Sequence, residues 1–362
     1  MSCSTLSSPQ ARYEKLAQEK KLLPVKLTAH YKALLLEEQS ALGDQSGPLY
    51  RAMLPTEEKL STVGPGEHPD FINDRLQMPQ GSSGCFLHKY SDRVLFLPTH
   101  LCLAHCMYCF RQDLLEEKKS EAEKNLAKNL AELEAYLCKH SEVREIILSG
   151  GDPLMLSPKA LELIFLRLSQ IPHITQFRIH TRAPIFDPRS LSEAHLEVLL
   201  RFRVRMVLHC IHPYELEPQL CELLQKAHQR GAKLYNHFPL LRGVNDHPVV
   251  LLKLLEHLDL LGVRPLSIYF PEPVLHSAVY RISFVRLREM VETIQQNSPS
   301  WLHGLRFCQD SPHGKLQLHE VVKVDEQKCT VTYLRKGQCI EVPDFPKTLD
   351  IAGDLKRLLW KG

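Results

Sequence analysis

The stretch RVLFLPTHLCLAHCMYCFRQ, Arg93–Gln112, joins an apolar run typical of a strand to three closely spaced cysteines. Cys102, Cys106 and Cys109 follow one another at intervals of four and three residues. Such compact, thiolate-rich spacing favours zinc or an iron–sulfur cluster. A structural zinc site needs four protein ligands, usually as two cysteine pairs, and the sequence has no second such pair. The triad therefore predicts either a fourth ligand from elsewhere or a centre with one open position.

On the carboxyl side of this stretch, strand-like runs alternate with amphipathic helical segments. The strand-like runs are 93–99, 144–150, 176–182, 205–210, 233–238 and 265–270. This rhythm indicates a parallel sheet with right-handed crossovers. Six units of about 25–35 residues favour an α/β fold built as a partial (β/α)6 TIM-like barrel over an open doubly wound sheet. The cysteines would then follow the carboxyl end of the first barrel strand, where such barrels carry their chemistry.

The chain divides into three predicted parts. Residues 1–90 are a helical N-terminal extension with a lead-in loop, and residues 91–300 are the barrel. Residues 301–362 are a C-terminal segment in which His319–Val342 alternates every second residue, the pattern of a small antiparallel β-hairpin.

The composition is that of an ordinary soluble globular protein, with 24% charged and 44% hydrophobic residues among 362. The net charge of +3 is too small to indicate a nucleic-acid or anionic-membrane partner. We expect no signal peptide and no membrane span, because the apolar runs are short and broken by charge. Eleven cysteines, an odd number and mostly isolated, favour a reducing cytoplasm over a disulfide framework.

A second motif, LSGGDPL at Leu148–Leu154, follows the second predicted strand. Taken alone it is a glycine turn between a strand and a helix. Beside the cysteine triad, a ligand-binding interpretation is favoured. Gly150 and Gly151 would let the backbone approach a ligand, and Asp152 would face an ammonium group.

The spacing CxxxCxxC, with Tyr108 before the last cysteine, resembles the radical S-adenosylmethionine superfamily. The resemblance implies a 4Fe–4S cluster on the three cysteines, whose open iron chelates S-adenosylmethionine. One electron from a donor such as flavodoxin or ferredoxin would then release a 5′-deoxyadenosyl radical. The residues that the resemblance places around S-adenosylmethionine are Gly150, Gly151, Asp152, His209 and His237.

Five motifs narrow the resemblance: Pro48–Leu60, Lys89–Arg111, Ile146–Leu154, His209–Glu215 and Pro239–Asp246. In this order they are similar to the lysine 2,3-aminomutase family, and the length is similar to the short aminomutases that make β-lysine for elongation factor P. The resemblance implies an isomerase that uses pyridoxal phosphate and converts L-α-lysine to β-lysine by 2,3-amino migration.

The resemblance also assigns residues to the cofactor and the substrate. Lys315 would hold pyridoxal phosphate as a Schiff base, although a surface lysine is the default for this residue type. Lys89 and Arg93 would hold the phosphate, with Tyr90 against the ring; a solvated strand edge is the alternative.

The substrate carboxylate would meet Arg111, and its side-chain ammonium would meet Glu272 and Asp310, because a desolvated cation must be paired. Glu272 stands where the family has aspartate, so a different amino acid stays open as the substrate.

Some features depart from the family. His237 replaces a glutamine, and His247 stands where zinc-bearing members have cysteine. The tail also lacks their clustered cysteines, so we expect no structural zinc, and the oligomeric state stays open. The alternatives are an aminomutase for another amino acid, a radical enzyme without pyridoxal phosphate, and a non-catalytic zinc-binding interaction module.

Overall fold

The computed structural model of the chain describes residues 8–20, 22–117 and 125–362. The strands are β1 (Phe86–Tyr90), β2 (Arg93–Thr99), β3 (Glu145–Gly150), β4 (Gln176–Thr181), β5 (Arg205–Leu208), β6 (Lys233–Pro239), β7 (Val263–Tyr269), β8 (Arg306–Gln309), β9 (Leu316–Gln317), β10 (Val321–Asp325), β11 (Thr330–Arg335) and β12 (Gln338–Pro343). The helices are α1 (Pro9–Lys20), α2 (Ala29–Leu42), α3 (Pro48–Met53), α4 (Glu57–Ser61), α5 (Gln112–Glu117), α6 (Leu126–Leu137), α7 (Pro158–Leu168), α8 (Ala183–Phe186), α9 (Glu193–Arg201), α10 (Pro218–Gln229), α11 (Pro248–Leu260), α12 (Phe284–Asn297) and α13 (Leu355–Leu358). The helix predicted after the cysteines begins at residue 119, and its residues 119–124 lie outside the described part of the chain.

Strands β2–β8 are parallel, and each pairs with the next in chain order. The six strands expected from the alternating pattern are β2–β7, and every one lies within two residues of its predicted ends. The near-continuous burial of β3 is typical of a parallel strand covered on both faces. The prediction of a partial α/β barrel is therefore confirmed, with β8 as a further parallel strand.

The barrel sheet ends in an antiparallel strand at each edge. β1 pairs antiparallel with β2, and β9 pairs antiparallel with β8. These edge strands lie beyond the boundaries that we drew from the sequence at residues 90 and 300. The sheet thus includes the end of the N-terminal extension and the beginning of the C-terminal segment.

The helices of the extension pack against the barrel through buried aromatic and aliphatic side chains. Tyr31 on α2 is fully buried, and its ring lies 5.5 Å from that of Phe186 on α8. Thr28 caps the start of α2 and also donates a hydrogen bond to the Phe186 carbonyl at 2.5 Å. The extension is therefore part of the folded body rather than a separate appendage.

The C-terminal segment forms a second, three-stranded antiparallel sheet in the order β10–β11–β12. This sheet contains the hairpin expected from the alternating pattern and adds a third strand. Tyr333 on β11 is buried, and its hydroxyl donates a hydrogen bond to the Gln309 side chain at the end of β8, at 3.2 Å. Among the described residues, no helix combines the length and apolarity needed to cross a membrane.

Candidate active site

The cysteine loop begins where β2 ends, and the N-terminal extension covers it. The Lys26 ammonium donates to the Cys102 carbonyl at 2.7 Å, and the Lys59 ammonium donates to the Met107 carbonyl at 2.8 Å. The Met107 amide in turn donates to the Ala52 carbonyl at 2.9 Å. The extension thus satisfies backbone groups of the loop on both sides of Cys106. The sequence showed no signal for these contacts.

None of the three cysteines forms a disulfide bond. If their thiols ionised, the negative charges would repel one another. Burial, followed by the charge of Cys106, raises the pKa of Cys109 to about 12. Burial also raises the pKa of Cys102 and of Cys106. Buried thiols of this kind ionise when a metal centre supplies positive charge, because a coordinating thiol loses its proton.

The spacing of the triad bears on which metal centre it suits. Among the described residues, two groups of three potential ligands have their ligand atoms within 4.8 Å of one another, and the cysteine triad is not one of them. Three sulfurs on one tetrahedral zinc ion would stand about 3.8 Å apart, given a Zn–S bond of about 2.3 Å. The wider spread fits a cluster in which each sulfur meets a different iron atom.

The two glycines of the LSGGDPL motif let β3 approach the segment that leads to Cys102. Gly150 has a φ of +104°, in the region that favours glycine. A Cβ on Gly151 would stand 2.2 Å from the Leu101 carbonyl oxygen. The Gly151 amide donates to the Thr99 carbonyl at 3.0 Å. The glycines therefore permit a close approach to the chain's own backbone beside the cysteine loop, and their approach to a ligand stays a prediction.

Asp152 lies fully inside the protein, and its carboxylate accepts hydrogen bonds from the chain itself. One oxygen accepts from the Thr181 hydroxyl at 2.7 Å and from the Leu154 amide at 3.1 Å. The other accepts from the amides of Arg182 and Ala183, both at 2.7 Å. This carboxylate ties the loop after β3 to the end of β4. The predicted contact with an ammonium group is not part of this arrangement and stays a prediction.

A buried ion pair stands behind the cysteine loop. Arg182 pairs with Glu215, and the two side chains are 7% and 0% exposed. Arg182 also donates to the Tyr108 hydroxyl, between the second and third cysteines. Glu215 accepts from the hydroxyl of Tyr31 at 2.6 Å and from the amide of Ile211 at 2.8 Å. The sequence analysis missed this pair, although Arg182 is the last residue of the predicted strand-like run 176–182.

Three histidines converge inside the barrel at the ends of β4, β5 and β6. The Nε2 atoms of His209 and His237 are 2.5 Å apart, and a ring nitrogen of His180 completes a group within 4.8 Å. Burial, followed by the charge of Arg182, lowers the pKa of His209 to about 3. Burial likewise lowers the pKa of His180 and His237, so all three rings are neutral at physiological pH. The structure thus brings the two predicted histidines together and adds His180, which the sequence analysis missed.

Lys315 lies in the loop between β8 and β9, at the same end of the barrel as the cysteines. Its ammonium lies 2.9 Å from both Asp310 oxygens and 4.3 Å from the centre of the Tyr269 ring. Burial lowers the pKa of Lys315, but the Asp310 charge outweighs it and holds this pKa well above its usual range. The amine thus lies half-buried between a carboxylate and an aromatic ring, with 30% of the side chain exposed, whereas a freely exposed surface lysine was the default expectation.

Residues at the turn between β1 and β2 contact the loop between β8 and β9 that carries Lys315, which we call the lysine loop. The Lys89 ammonium donates to the carbonyls of Ser311 at 2.5 Å and Ile72 at 3.2 Å. The Tyr90 ring lies 3.4 Å from the position that a Cβ on Gly314 would take. Arg93 pairs with neighbouring Asp92 at 2.8 Å and lies over the Tyr90 ring. Lys89 and Tyr90 thus contact the loop that carries Lys315, with Lys89 engaged by backbone oxygens, whereas Arg93 contacts Asp92 and the Tyr90 ring.

Arg111 extends from the cysteine loop towards the end of β3. Its Nε donates to Asp74 at 2.6 Å, and one terminal nitrogen lies 3.4 Å from the Ser149 hydroxyl. Its side chain is 14% exposed, so Asp74 compensates a largely buried charge. Asp74 orients the predicted carboxylate-binding residue. Nothing in the surrounding sequence distinguishes it from a loop aspartate.

Glu272 follows β7 and lies close to Asp310. Burial and the negative charge of Asp310 raise the pKa of Glu272. The two acids predicted for the substrate ammonium therefore meet in the structure. Asp310 is paired with Lys315 in the described arrangement, however, and a substrate would have to share or replace that contact.

Comparison with known proteins identifies this arrangement. The radical SAM superfamily profile matches residues 96–255. The chain is 30% identical over 254 residues to the L-lysine 2,3-aminomutase of Escherichia coli, covering 70% of this chain and 72% of that protein. The chain belongs to the lysine 2,3-aminomutase family of radical S-adenosylmethionine enzymes. The family implies a 4Fe–4S cluster, S-adenosylmethionine and pyridoxal phosphate.

Two further relatives carry the name L-lysine 2,3-aminomutase, and one solved structure is also similar. The L-lysine 2,3-aminomutase of Haemophilus influenzae is 32% identical over 218 residues, which span 60% of this chain and 63% of that protein. That of Clostridium subterminale is 27% identical over 302 residues, which span 83% of this chain and 70% of that protein. A radical SAM methyltransferase from Sphaerobacter thermophilus has a TM-score of 0.45 at 15% identity, over 62% of this chain and 68% of that chain.

The donor sets fit the groups that the family implies. Three buried thiols spread more widely than one zinc ion needs would hold the cluster, and Lys315, with Tyr90 and Tyr269 nearby, would hold pyridoxal phosphate. Membership in an isomerase family favours the enzymatic interpretation over the zinc-binding interaction module.

Proposed function

We propose that the protein converts L-lysine to β-lysine by 2,3-amino migration, with pyridoxal phosphate held at Lys315. The observation that carries the proposal is that a half-buried lysine amine, paired with Asp310 and flanked by Tyr269, lies at the same end of the barrel as the cysteine triad. A radical enzyme without pyridoxal phosphate would have no use for this amine. Supply of β-lysine to elongation factor P is the downstream role that the resemblance to the short aminomutases favours.

When bound, the reduced cluster and S-adenosylmethionine supply a radical that removes hydrogen from the substrate, and pyridoxal phosphate stabilises the radical while nitrogen moves. The protein's part is binding, orientation and the exclusion of water. Cys102, Cys106 and Cys109 hold the cluster. His209 and His237, both neutral, can donate or accept hydrogen bonds towards S-adenosylmethionine without adding charge.

The groups around Lys315 determine whether its amine carries a proton. A lysine amine must be neutral to attack the cofactor aldehyde, and Asp310 opposes this by stabilising the ammonium. We infer that Asp310 receives a new cation once Lys315 is bound to the cofactor, namely the side-chain ammonium of the substrate. Glu272 lies beside it, and Arg111 remains available for the substrate carboxylate.

The test is an anaerobic assay of the cluster-reconstituted protein with dithionite, S-adenosylmethionine, pyridoxal phosphate and L-lysine, followed by chiral chromatography. We expect β-lysine and a borohydride-sensitive absorbance from the lysine-bound cofactor, both lost in Lys315→Ala. Lys159→Ala, which removes an exposed lysine on α7, is the matched control and should retain both.

Two outcomes would redirect the proposal. Formation of 5′-deoxyadenosine without β-lysine would retain the radical chemistry and point to another amino acid, with Glu272 as the residue to vary. β-Lysine formed equally well by Lys315→Ala would remove Lys315 from the reaction.

A further inference from the structure

A second group of potential metal ligands lies outside the candidate active site, where the edge strand β1 meets the end of α6. His88 lies on β1, and His140 and Glu142 lie in the turn that follows α6. One ligand atom of each residue lies within 4.8 Å of the other two. The three residues come from two separate stretches of sequence that only the fold brings together.

The two imidazoles are oriented by other side chains. The Nδ1 atom of His88 lies 2.7 Å from the Tyr136 hydroxyl, and the Tyr136 ring stacks on His140 with ring centres 4.0 Å apart. The Nε2 atom of His88 is buried and has no hydrogen-bond partner in the described part of the chain. A histidine with one nitrogen held by a polar partner and the other left open is the usual arrangement of a metal ligand. A buried nitrogen without a partner otherwise costs free energy.

We propose that His88, His140 and Glu142 bind one divalent transition-metal ion of the zinc class. Two imidazoles and one carboxylate are a known zinc ligand set, with a further position for water. Ligands at about 2.0–2.1 Å from one ion stand about 3.4 Å apart. His140 Nδ1 and a Glu142 carboxylate oxygen are now 2.8 Å apart in a hydrogen bond, which a bound ion would replace. Both side chains have room to rotate to the spacing that an ion requires, because they are 33% and 50% exposed.

The ion would link an edge strand to the helix that packs on it. Among the strands of the described residues, β1 pairs with β2 alone, and the Phe86 ring on β1 packs 4.9 Å from the Tyr136 ring. A metal at His88 adds a cross-link next to Lys89. The ligands and position of this site differ from those of the zinc site that cysteine-rich tails carry in other family members, which we expect to be absent here.

The test is equilibrium dialysis of the full chain against Zn²⁺ in the presence of excess Mg²⁺. The protein carries its reconstituted cluster, so that the triad is occupied by iron, and metal is counted by mass spectrometry. We expect one zinc per chain. His140→Gln and Glu142→Gln, both in an accessible turn, should weaken binding by about 100-fold, and Tyr136→Phe by about 10- to 100-fold.

The control is His303→Gln, which alters an exposed histidine elsewhere and should bind zinc as the wild type does. Zinc bound equally by His140→Gln and the wild type would be an adventitious ion and would overturn the proposal. Sulfur neighbours in the zinc X-ray absorption spectrum would overturn it too, because they would place the ion on cysteines. Zinc binding at this site by a protein that makes no β-lysine would support it while the proposed reaction fails.

Discussion

The cysteine loop and the lysine loop lie at the same end of the barrel, but different contacts hold them. Around the cysteines, bonds between backbone groups add to the side-chain contacts of Lys26 and Lys59: the Asp152 amide donates to the Leu101 carbonyl at 2.6 Å, and the Met107 amide donates to the Ala52 carbonyl at 2.9 Å. Around Lys315 the contacts come from charged side chains, including Asp310 and Lys89. Backbone contacts keep their partners whatever side chains surround them, whereas charge pairs change with each substitution. The lysine side therefore depends more on the identity of individual charged residues than the cysteine side does.

The largest expected effect tests the cysteine side. Cys106→Ala removes one of three cluster ligands, so the iron and sulfide content should fall and cleavage of S-adenosylmethionine should drop to background. Iron analysis, the visible spectrum and chromatography of 5′-deoxyadenosine measure these changes. Cys138→Ala, at an exposed cysteine after α6, is the control and should behave as the wild type. Full turnover by Cys106→Ala would show that the triad does not hold the cluster.

A second substitution breaks the buried ion pair behind the cysteines. Glu215→Gln leaves the Arg182 charge unpaired inside the protein, which should lower the free energy of unfolding by about 3–5 kcal/mol. Denaturant unfolding under anaerobic conditions measures the loss. Glu162→Gln breaks the exposed pair with Arg201 and should cost less than about 1 kcal/mol. Equal losses in the two variants would mean that the buried pair gives the cysteine side no special rigidity.

A third substitution acts on the backbone contact itself. Gly151→Ala places a methyl group 2.2 Å from the Leu101 oxygen, so the segment leading to Cys102 must shift. We expect a loss of about 1–3 kcal/mol in stability and a lower iron content after reconstitution. Gly304→Ala has nothing within 4 Å of its new Cβ and should retain both. A normal iron content in Gly151→Ala would show that the cluster loop tolerates movement at this contact.

The smallest expected effect concerns the Lys315–Asp310 pair and is a change in the pH at which Lys315 reacts with the cofactor. The Lys315 pKa is raised by Asp310, so the pair stabilises the cofactor-free protein below the ordinary lysine pKa and loses that effect as pH rises through the raised value. In Asp310→Asn, burial dominates and lowers the pKa, so the amine should react with pyridoxal phosphate at a pH lower by about one unit or more.

The measurement is the pH midpoint of the lysine-bound cofactor absorbance. Asp325→Asn disrupts an exposed lysine–aspartate pair on β10 and is the matched control, with no expected shift. An upward shift in Asp310→Asn would mean that the carboxylate assists the attack instead of opposing it.

The sequence predicted those parts of the fold that depend on local pattern. Strands β2–β7 are confirmed because apolar runs at regular spacing can only be buried as a parallel sheet covered by helices. β1 and β8 were missed because FLHKY and RFCQ are short and mixed in polarity, and they form only where a neighbouring strand offers a partner.

In the candidate site, too, the features in local motifs were predicted and those that depend on long-range contacts were not. The cysteines and the glycine turn lie in short motifs, so their position at the ends of β2 and β3 follows from the strands. Asp74, His180 and the pair of Arg182 with Glu215 were missed because their roles depend on contacts across 29 or more residues of sequence. A single sequence gives no spacing signal at such distances.

The N-terminal extension covers the cysteine loop, and a shortened chain would lose this cover. Lys26, Ala52 and Lys59 meet backbone groups of the loop that would otherwise face solvent or remain unpaired. A gene trimmed to begin at the first barrel strand would still encode Cys102, Cys106 and Cys109, yet its product would lack the groups that hold the backbone around them. We therefore expect such a shortened chain to load less iron than the full chain.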